Sequence, residues 1–577
     1  MDYGPPISHA VNTCKVDSDC RFGAMGGACR EGKCIASTGQ IETAYLEVIP
    51  PASASYGSGD SFLIKLDGLS HGSSLTNLSL PGHAEIQGTV SAGSVWEGDL
   101  TPESCEQVFD ALTQTLRVHV ELWRVGDPYG LPSWTLATNA ERGSGNVGWV
   151  FRAKAPPGTY DVYATVMGGC ISDFPPLIER VEFGSGAVRS DIQAGSLSKL
   201  SGELTPPTGS DEDQSLARWA ISLVDPMYGK VISTVRKLGA GGTNFDILYR
   251  RLPTSWPGGS PWVQIEPPSD VVAPVLAWDL SALDVAGENT VKLDLSTLDL
   301  STVRVSATVM LADLEPVVNA SVQLRSTALV GASLGFIARY DTKATTDDDG
   351  MISIDLLPGT YQVVVTPPDP TDLPITYASW KIGRTPSLQE GRTIEVGQKL
   401  SVVGTVVDPT ARDPMESIAA TAVPSVMPAG MFIERIVEPI AMVPRVASSI
   451  TGAGGAFVMG VDPGLLDITA QPVESSGFPW LVRTRVGTAS DSSDGSVGTD
   501  LGDMAVSYPV LLDGILTHSG RFAVQQARLR VFALVVSSPD PERPNRADAP
   551  RVMLVAEGRT GKNGEFELFL PSEILED

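Results

Sequence analysis

Six cysteines, five histidines and one run of aspartates hold most of the reactive chemistry available to this 577-residue chain. Four of the cysteines, Cys14, Cys20, Cys29 and Cys34, crowd an N-terminal segment of small polar residues such as Asp17, Ser18, Gly26 and Gly27. A segment with so little to bury must be ordered by disulfides or by a metal. Its C-x5-C-x8-C-x4-C spacing lacks the close cysteine pairs of tetrahedral zinc sites, which favours two disulfides. Three connectivities are open, and Cys14–Cys29 with Cys20–Cys34 is the one expected. Cys105 and Cys170 leave no odd thiol and are expected to form a third disulfide. A fully paired set points to an oxidising compartment.

The histidines, His9, His71, His83, His119 and His518, form no H-E-x-x-H or other paired ligand spacing, so a zinc hydrolase is not expected. His119 falls on the polar face of an alternating strand and reads as an ordinary solvated side chain. In Asp347-Asp348-Asp349-Gly350, Asp347 and Asp349 are weak calcium candidates, needing further oxygens from Asp341 or Asp355. The run lacks the twelve-residue loop with its terminal Glu, and a polar turn explains it more simply. Trp256 and Trp262, in the loop W-P-G-G-S-P-W, could stack on a sugar or plug the end of a core. No nucleophile elbow, phosphate loop or dinucleotide fingerprint occurs, and no serine has an evident base. The expectation is therefore a chain with no catalytic residue and no cofactor. A formal charge of −27 excludes a phosphate-tracking surface, and with it a nucleic-acid partner. No apolar run reaches the roughly 18 residues of a membrane-spanning helix.

The elements that must carry these residues are announced by self-similarity. A short strand with a small central residue recurs as Ile86-Gln87-Gly88-Thr89-Val90, Leu200-Ser201-Gly202-Glu203-Leu204, Val305-Ser306-Ala307-Thr308-Val309, Val402-Val403-Gly404-Thr405-Val406 and Leu512-Asp513-Gly514-Ile515-Leu516. The spacing is roughly 100 residues, about one small β-sandwich. Each unit also has a closing half, clearest in the third: a polar turn at Thr346–Gly350, an alternating strand from Met351, a Pro358-Gly359 turn and a strand through Val365. One helix is expected near 101–112, where Thr101-Pro102 precedes Cys105, Val108, Phe109 and Leu112.

The T-D-x-x-G turn, alternating strand and P-G-x-Y turn of the third unit resemble the carboxypeptidase regulatory-like domain, a transthyretin-like sandwich. The cysteine segment resembles the Dickkopf-like or EGF-like knots that precede such sandwiches in secreted myxobacterial proteins. The resemblance implies an accessory, non-catalytic domain array, in a superfamily that also includes starch-binding-like modules.

The expected fold is all-β: a tandem array of transthyretin-like or Ig-like sandwiches after a disulfide-rich segment. The divisions are 1–38 for the knot, 39–84 for a β lead-in, and 85–197, 198–299, 300–398, 399–508 and 509–577 for five sandwiches. The fifth reads as incomplete, because Phe569-Leu570-Pro571 is followed by no Gly-x-Tyr turn and no closing strand. A missing continuation or an external strand donor would complete it, and as it stands it should be the least protected unit. No signal peptide is visible after Met1, so the sequence is expected to begin after a removed signal or within a longer product. The expected role is structural or adhesive, outside the cell or on a bacterial surface, with a surface glycan or protein as partner. The alternatives are a carbohydrate- or peptide-binding array, or an accessory region of a larger secreted enzyme.

Overall fold

A computed structural model describes residues 14–576 apart from 16–20, 52–60, 91–117, 126–130, 132–139, 143–148, 167–174, 191–196, 208–215, 253–259, 283–289, 385–391, 426–442, 489–497, 536–550 and shorter stretches. The described chain is built of strands, with two short 3-10 turns and no α-helix among its residues. The helix expected near 101–112 lies outside the described residues.

The recurring small-centred segments are strands, and they organise each sandwich. Ala84–Val90, Leu197–Thr205, Val303–Leu311, Leu400–Val407 and Pro509–His518 each pair antiparallel with the strand after the polar turn. Each also pairs in parallel with a further strand on its other side. Alternation buries one face: in Val303–Leu311, Val303, Val305, Ala307 and Val309 are buried while Arg304 faces outward.

Cross-strand partners explain the small central residue. Gly88 lies opposite Phe151, Gly202 opposite Phe245, Gly404 opposite Phe457 and Gly514 opposite Phe566. At Gly202 an added Cβ would lie 2.1 Å from the Phe245 ring. Only the third unit carries Ala307, and there the partner is Ile352. The turn glycines have a backbone reason. Gly350, Gly455 and Gly564 sit at φ of +69°, +70° and +80°, where a Cβ would meet the carbonyl of Val309, Val406 or Leu516 at 2.5, 2.5 and 2.4 Å.

A second sheet faces each first sheet. In the third sandwich it runs Asp341–Thr345, Ser321–Leu329, Gly359–Thr366, Thr376–Ile382, and the core joins Val305, Leu324, Ile352, Tyr361 and Val363. Fully burying a Val, Leu or Ile stabilises by roughly 1.5–3 kcal/mol.

The fifth sandwich corrects an expectation. Its opening strand Pro509–His518 takes as parallel neighbour Ser73–Leu80, and Arg528–Val535 pairs antiparallel with Gln40–Ile49, which pairs with Phe62–Ser70. The strands missing after Pro571 are thus supplied by the lead-in, in the same order of roles as Gly359–Thr366, Thr376–Ile382 and Arg392–Val396 in the third sandwich. One core holds both pieces: Leu46, Val48, Leu66 and Leu69 lie among Leu512, Leu529, Val531 and Leu568. The lead-in is no separate segment, and the neighbour strands are not left unpaired, which removes the reason for expecting low protection. From the fifth sandwich the chain passes at Leu80 to Ala84 of the first, and it returns from Ala505 of the fourth to Pro509. Five sandwiches therefore form a closed circuit rather than an open row.

Cys14 is bonded to Cys29 with a Cα–Cα distance of 5.7 Å. Cys34 is also disulfide-bonded, and together with Cys14 it packs against Tyr508, just ahead of the fifth opening strand. Cys20, Cys105 and Cys170 lie outside the described residues.

Candidate functional site

Asp347 Oδ1 accepts the backbone N–H groups of Asp349 at 3.0 Å and Met351 at 2.7 Å, which organises the turn. The carboxylates that would have to join it face elsewhere. Asp341 is paired with Arg325 at 2.9 Å and Arg339 at 3.0 Å, and Asp355 with Arg304 at 2.9 Å. Among the described residues no group of three or more His, Cys, Asp and Glu is gathered as for a metal ion. Trp262 is half-buried in the strand Trp262–Glu266, with Val224 and Asp279 as its cross-strand partners. Trp256 lies outside the described residues.

The chemistry that sequence reasoning missed collects where one sandwich meets the next. Asp161, 1% exposed, stands in Gly158–Val166 directly opposite Arg180 in Leu177–Phe183. Arg180 grips it with Nε and Nη2 at 2.7 and 2.9 Å. Tyr228 of the second unit donates its hydroxyl to the same carboxylate at 2.8 Å. Burial, and then its bond to Asp161, push the Tyr228 phenol up. The loop carrying Tyr228 is folded by Asp225, which accepts the backbone N–H groups of Met227, Tyr228 and Lys230 at 3.0, 2.7 and 2.7 Å.

Beside it, Lys230 Nζ reaches Glu121 at 3.0 Å and lies 5.4 Å from the centroid of Trp123. Trp123 Nε1 donates to Glu121 at 3.1 Å, and His119 Nε2 stands 3.2 Å from the other carboxylate oxygen. His119 is therefore not simply solvated: it stands beside the Glu121 carboxylate that Lys230 of the second unit also reaches. Burial alone would raise the Glu121 carboxyl, but hydrogen bonds from Lys230 and Trp123 outweigh it and hold it below its ordinary range.

Other junctions repeat the device with different parts. Asp462, 1% exposed, accepts Arg445 Nε and Nη2 at 2.9 Å each. It also accepts the backbone N–H of Ile375 from the third unit at 3.0 Å. Arg445 in turn donates to the Leu373 carbonyl of that unit. Burial opposes the Asp462 charge, yet Arg445 and the two backbone donors keep its carboxyl below the usual range. Arg551 of the fifth unit, 3% exposed, donates to Asp467 at 3.0 Å and to Ser425 at 3.1 Å in the fourth.

Strand exchange supplements these ion pairs. Ile337–Arg339 of the third unit adds to Val275–Asp279 of the second, and Leu575–Glu576 adds in parallel to Leu481–Thr488 of the fourth. Between the second and third units lies a cleft of about 460 Å³ whose lining includes Glu266, Asp270, Arg339, Tyr340 and Asp341. Two of its carboxylates are matched within the protein, Asp270 by Arg218 at 3.0 Å and Asp341 by Arg339.

What marks such residues is structural: a charge in a strand covered on both faces. In Gly158–Val166, Asp161 falls within an unbroken buried run, Tyr160 to Ala164.

No family and no curated protein matches the chain. Among solved structures, a streptococcal ancillary pilin aligns at 13% identity over 52% of this chain and 99% of its own, with a TM-score of 0.20. The Bacillus anthracis TIE protein aligns at 10% identity over 68% of each chain with a TM-score of 0.15. The minor pilin GBS52 of Streptococcus agalactiae aligns at 12% identity over 35% of this chain and 96% of its own, with a TM-score of 0.20. At these TM-scores neither fold nor function is transferred; what the chain shows by itself is an all-β assembly of sandwiches.

Proposed function

We propose that this protein is a non-catalytic structural or adhesive component of the extracellular space or a cell surface. The supporting observation is the use to which its buried charge is put. Asp161, Asp462 and Arg551 each fasten one sandwich to the next instead of converging on an open cleft. Buried charge matched to a neighbouring domain can fix geometry, whereas perturbed carboxylates gathered in an open cleft mark candidate reactive sites. The disulfides at Cys14 and Cys34 suit an oxidising environment. In this reading the modules are 85–197, 198–299, 300–398 and 399–508, with 509–577 and 39–84 together making the fifth, and each is of the carboxypeptidase regulatory-like kind.

A glycan array probed with the full chain and with Trp262→Ala tests the reading. The expected result is background binding for both. Saturable binding lost on Trp262→Ala would overturn it in favour of a carbohydrate-recognition array.

A further inference from the structure

We propose that the fifth sandwich is also an assembly joint, in which residues 40–80 of one copy complete residues 509–571 of a second copy. Its two pieces are complementary halves of a single core, with Leu46, Val48, Leu66 and Leu69 from one side and Leu512, Leu529, Val531 and Leu568 from the other. They belong to different ends of the circuit: one leads at Leu80 into the first sandwich, the other follows Ala505 of the fourth. Closure within a chain requires four intervening sandwiches to bring it back on itself. Closure between chains requires no such path and reproduces every contact of the joint, the general basis of domain swapping.

The acceptor half specifies what can fill it. Arg530 Nη1 stands 3.4 Å from Glu47, a carboxylate 4% exposed and flanked in sequence by Leu46 and Val48 at 0%. A donor therefore needs an acidic residue between two fully buried apolar ones. It must also supply a strand in parallel register with Pro509–His518, where Thr517 Oγ1 donates to the Leu78 carbonyl at 3.4 Å. The segment of known fit is this chain's own, so the partner is a second copy. Tethering favours the closed monomer at dilution, since the intramolecular partner does not dilute away. Crowding many copies at one surface shifts the balance toward closure between them, giving reciprocal dimers or head-to-tail strings. This inference holds whether the array is structural or binds a ligand.

Two full-length variants test it. Leu46→Asp disables the donor and leaves the acceptor intact, and Leu568→Asp disables the acceptor and leaves the donor intact. Each alone should be monomeric by light scattering, and the mixture should form a 1:1 complex. A mixture that stays monomeric, while the other four sandwiches keep their cooperative melting, overturns the proposal. Should an aspartate variant aggregate, Glu47→Arg mixed with Arg530→Glu decides the matter: each sets like charges together in its own joint, and only exchange between copies restores both pairs. Association at least tenfold tighter in the mixture than in either variant alone is expected, and equal association overturns the idea.

Discussion

The third and fifth sandwiches have the same strand roles and differ in one respect, the continuity of the chain. In the third, the strand Met351–Leu356 passes through Pro358-Gly359 directly into Gly359–Thr366. In the fifth, Glu565–Pro571 occupies the first position, and the second is filled by Gln40–Ile49, more than 450 residues away in sequence. The difference teaches that the repeat signature marks strands and turns, which are local, and is blind to which chain segment completes the core. The energetic difference lies in loop closure. Pairing Glu47 with Arg530 joins residues 483 apart, so ordering the intervening chain must precede the gain from burial.

The sharpest way to break the comparison is to cut the chain elsewhere. A protease site inserted near Gly397, between the third and fourth sandwiches, should yield two fragments that still elute as one particle. Both remain tied through the fifth sandwich and through the bonds that Asp462 and Arg445 make to Ile375 and Leu373. Adding Leu46→Asp should release them under high salt, and separation without it would show that the circuit is open. Next in size, Leu46→Ala should destabilise the fifth sandwich by about 2–5 kcal/mol. Hydrogen exchange should then speed up across 509–535 and leave 303–366 protected; equal loss in both would contradict separate cores.

Gly514→Ala sharpens the contrast at the small central position. The third sandwich accommodates Ala307 because Ile352 lies opposite, whereas Gly514 faces Phe566. A cost of roughly 1–3 kcal/mol is expected from crowding the ring, and Phe566→Ile in the same chain should recover part of it. A melt that does not move would remove the ring as the reason for the glycine.

Acid should act on the junction that binds the third sandwich to the fourth. The Asp462 carboxyl is held below its ordinary 3.8 when folded, so its contribution is present above that value and is lost as pH falls through the folded pKa. The melting temperature of this pair of sandwiches should fall as the pH drops below about 4, and Asp462→Asn should weaken that dependence. Smallest of all are the exposed pairs. Arg304→Ala in the third sandwich and Arg528→Ala in the fifth should each cost less than about 1 kcal/mol, because both partners reach solvent.

Much of the fold was legible in local pattern. The small-centred strands, the turns at Gly350, Gly455 and Gly564, and the alternation of Val303–Leu311 are each decided by neighbours in sequence or by one cross-strand partner. The destination of residues 40–80 was not, because nothing in Gln40–Ile49 names the strand it will pair with. A signal existed all the same: the lead-in holds three strands with no small-centred opener, and the fifth unit lacked the strands that follow its last one. The junction residues were hidden for a similar reason. Asp161 and Asp462 look like surface carboxylates until a second sandwich covers them, and their partners Tyr228 and Ile375 lie in other units.

The split joint also decides how the molecule bears force. Tension applied between residue 40 and residue 571 is carried first by the strand pairing of the fifth sandwich, while the chain running through the other four stays slack. Only when that pairing shears does load pass to the remaining sandwiches in series. Under such a load the joint would act as a fuse: its rupture would lengthen the molecule abruptly before any other core is strained.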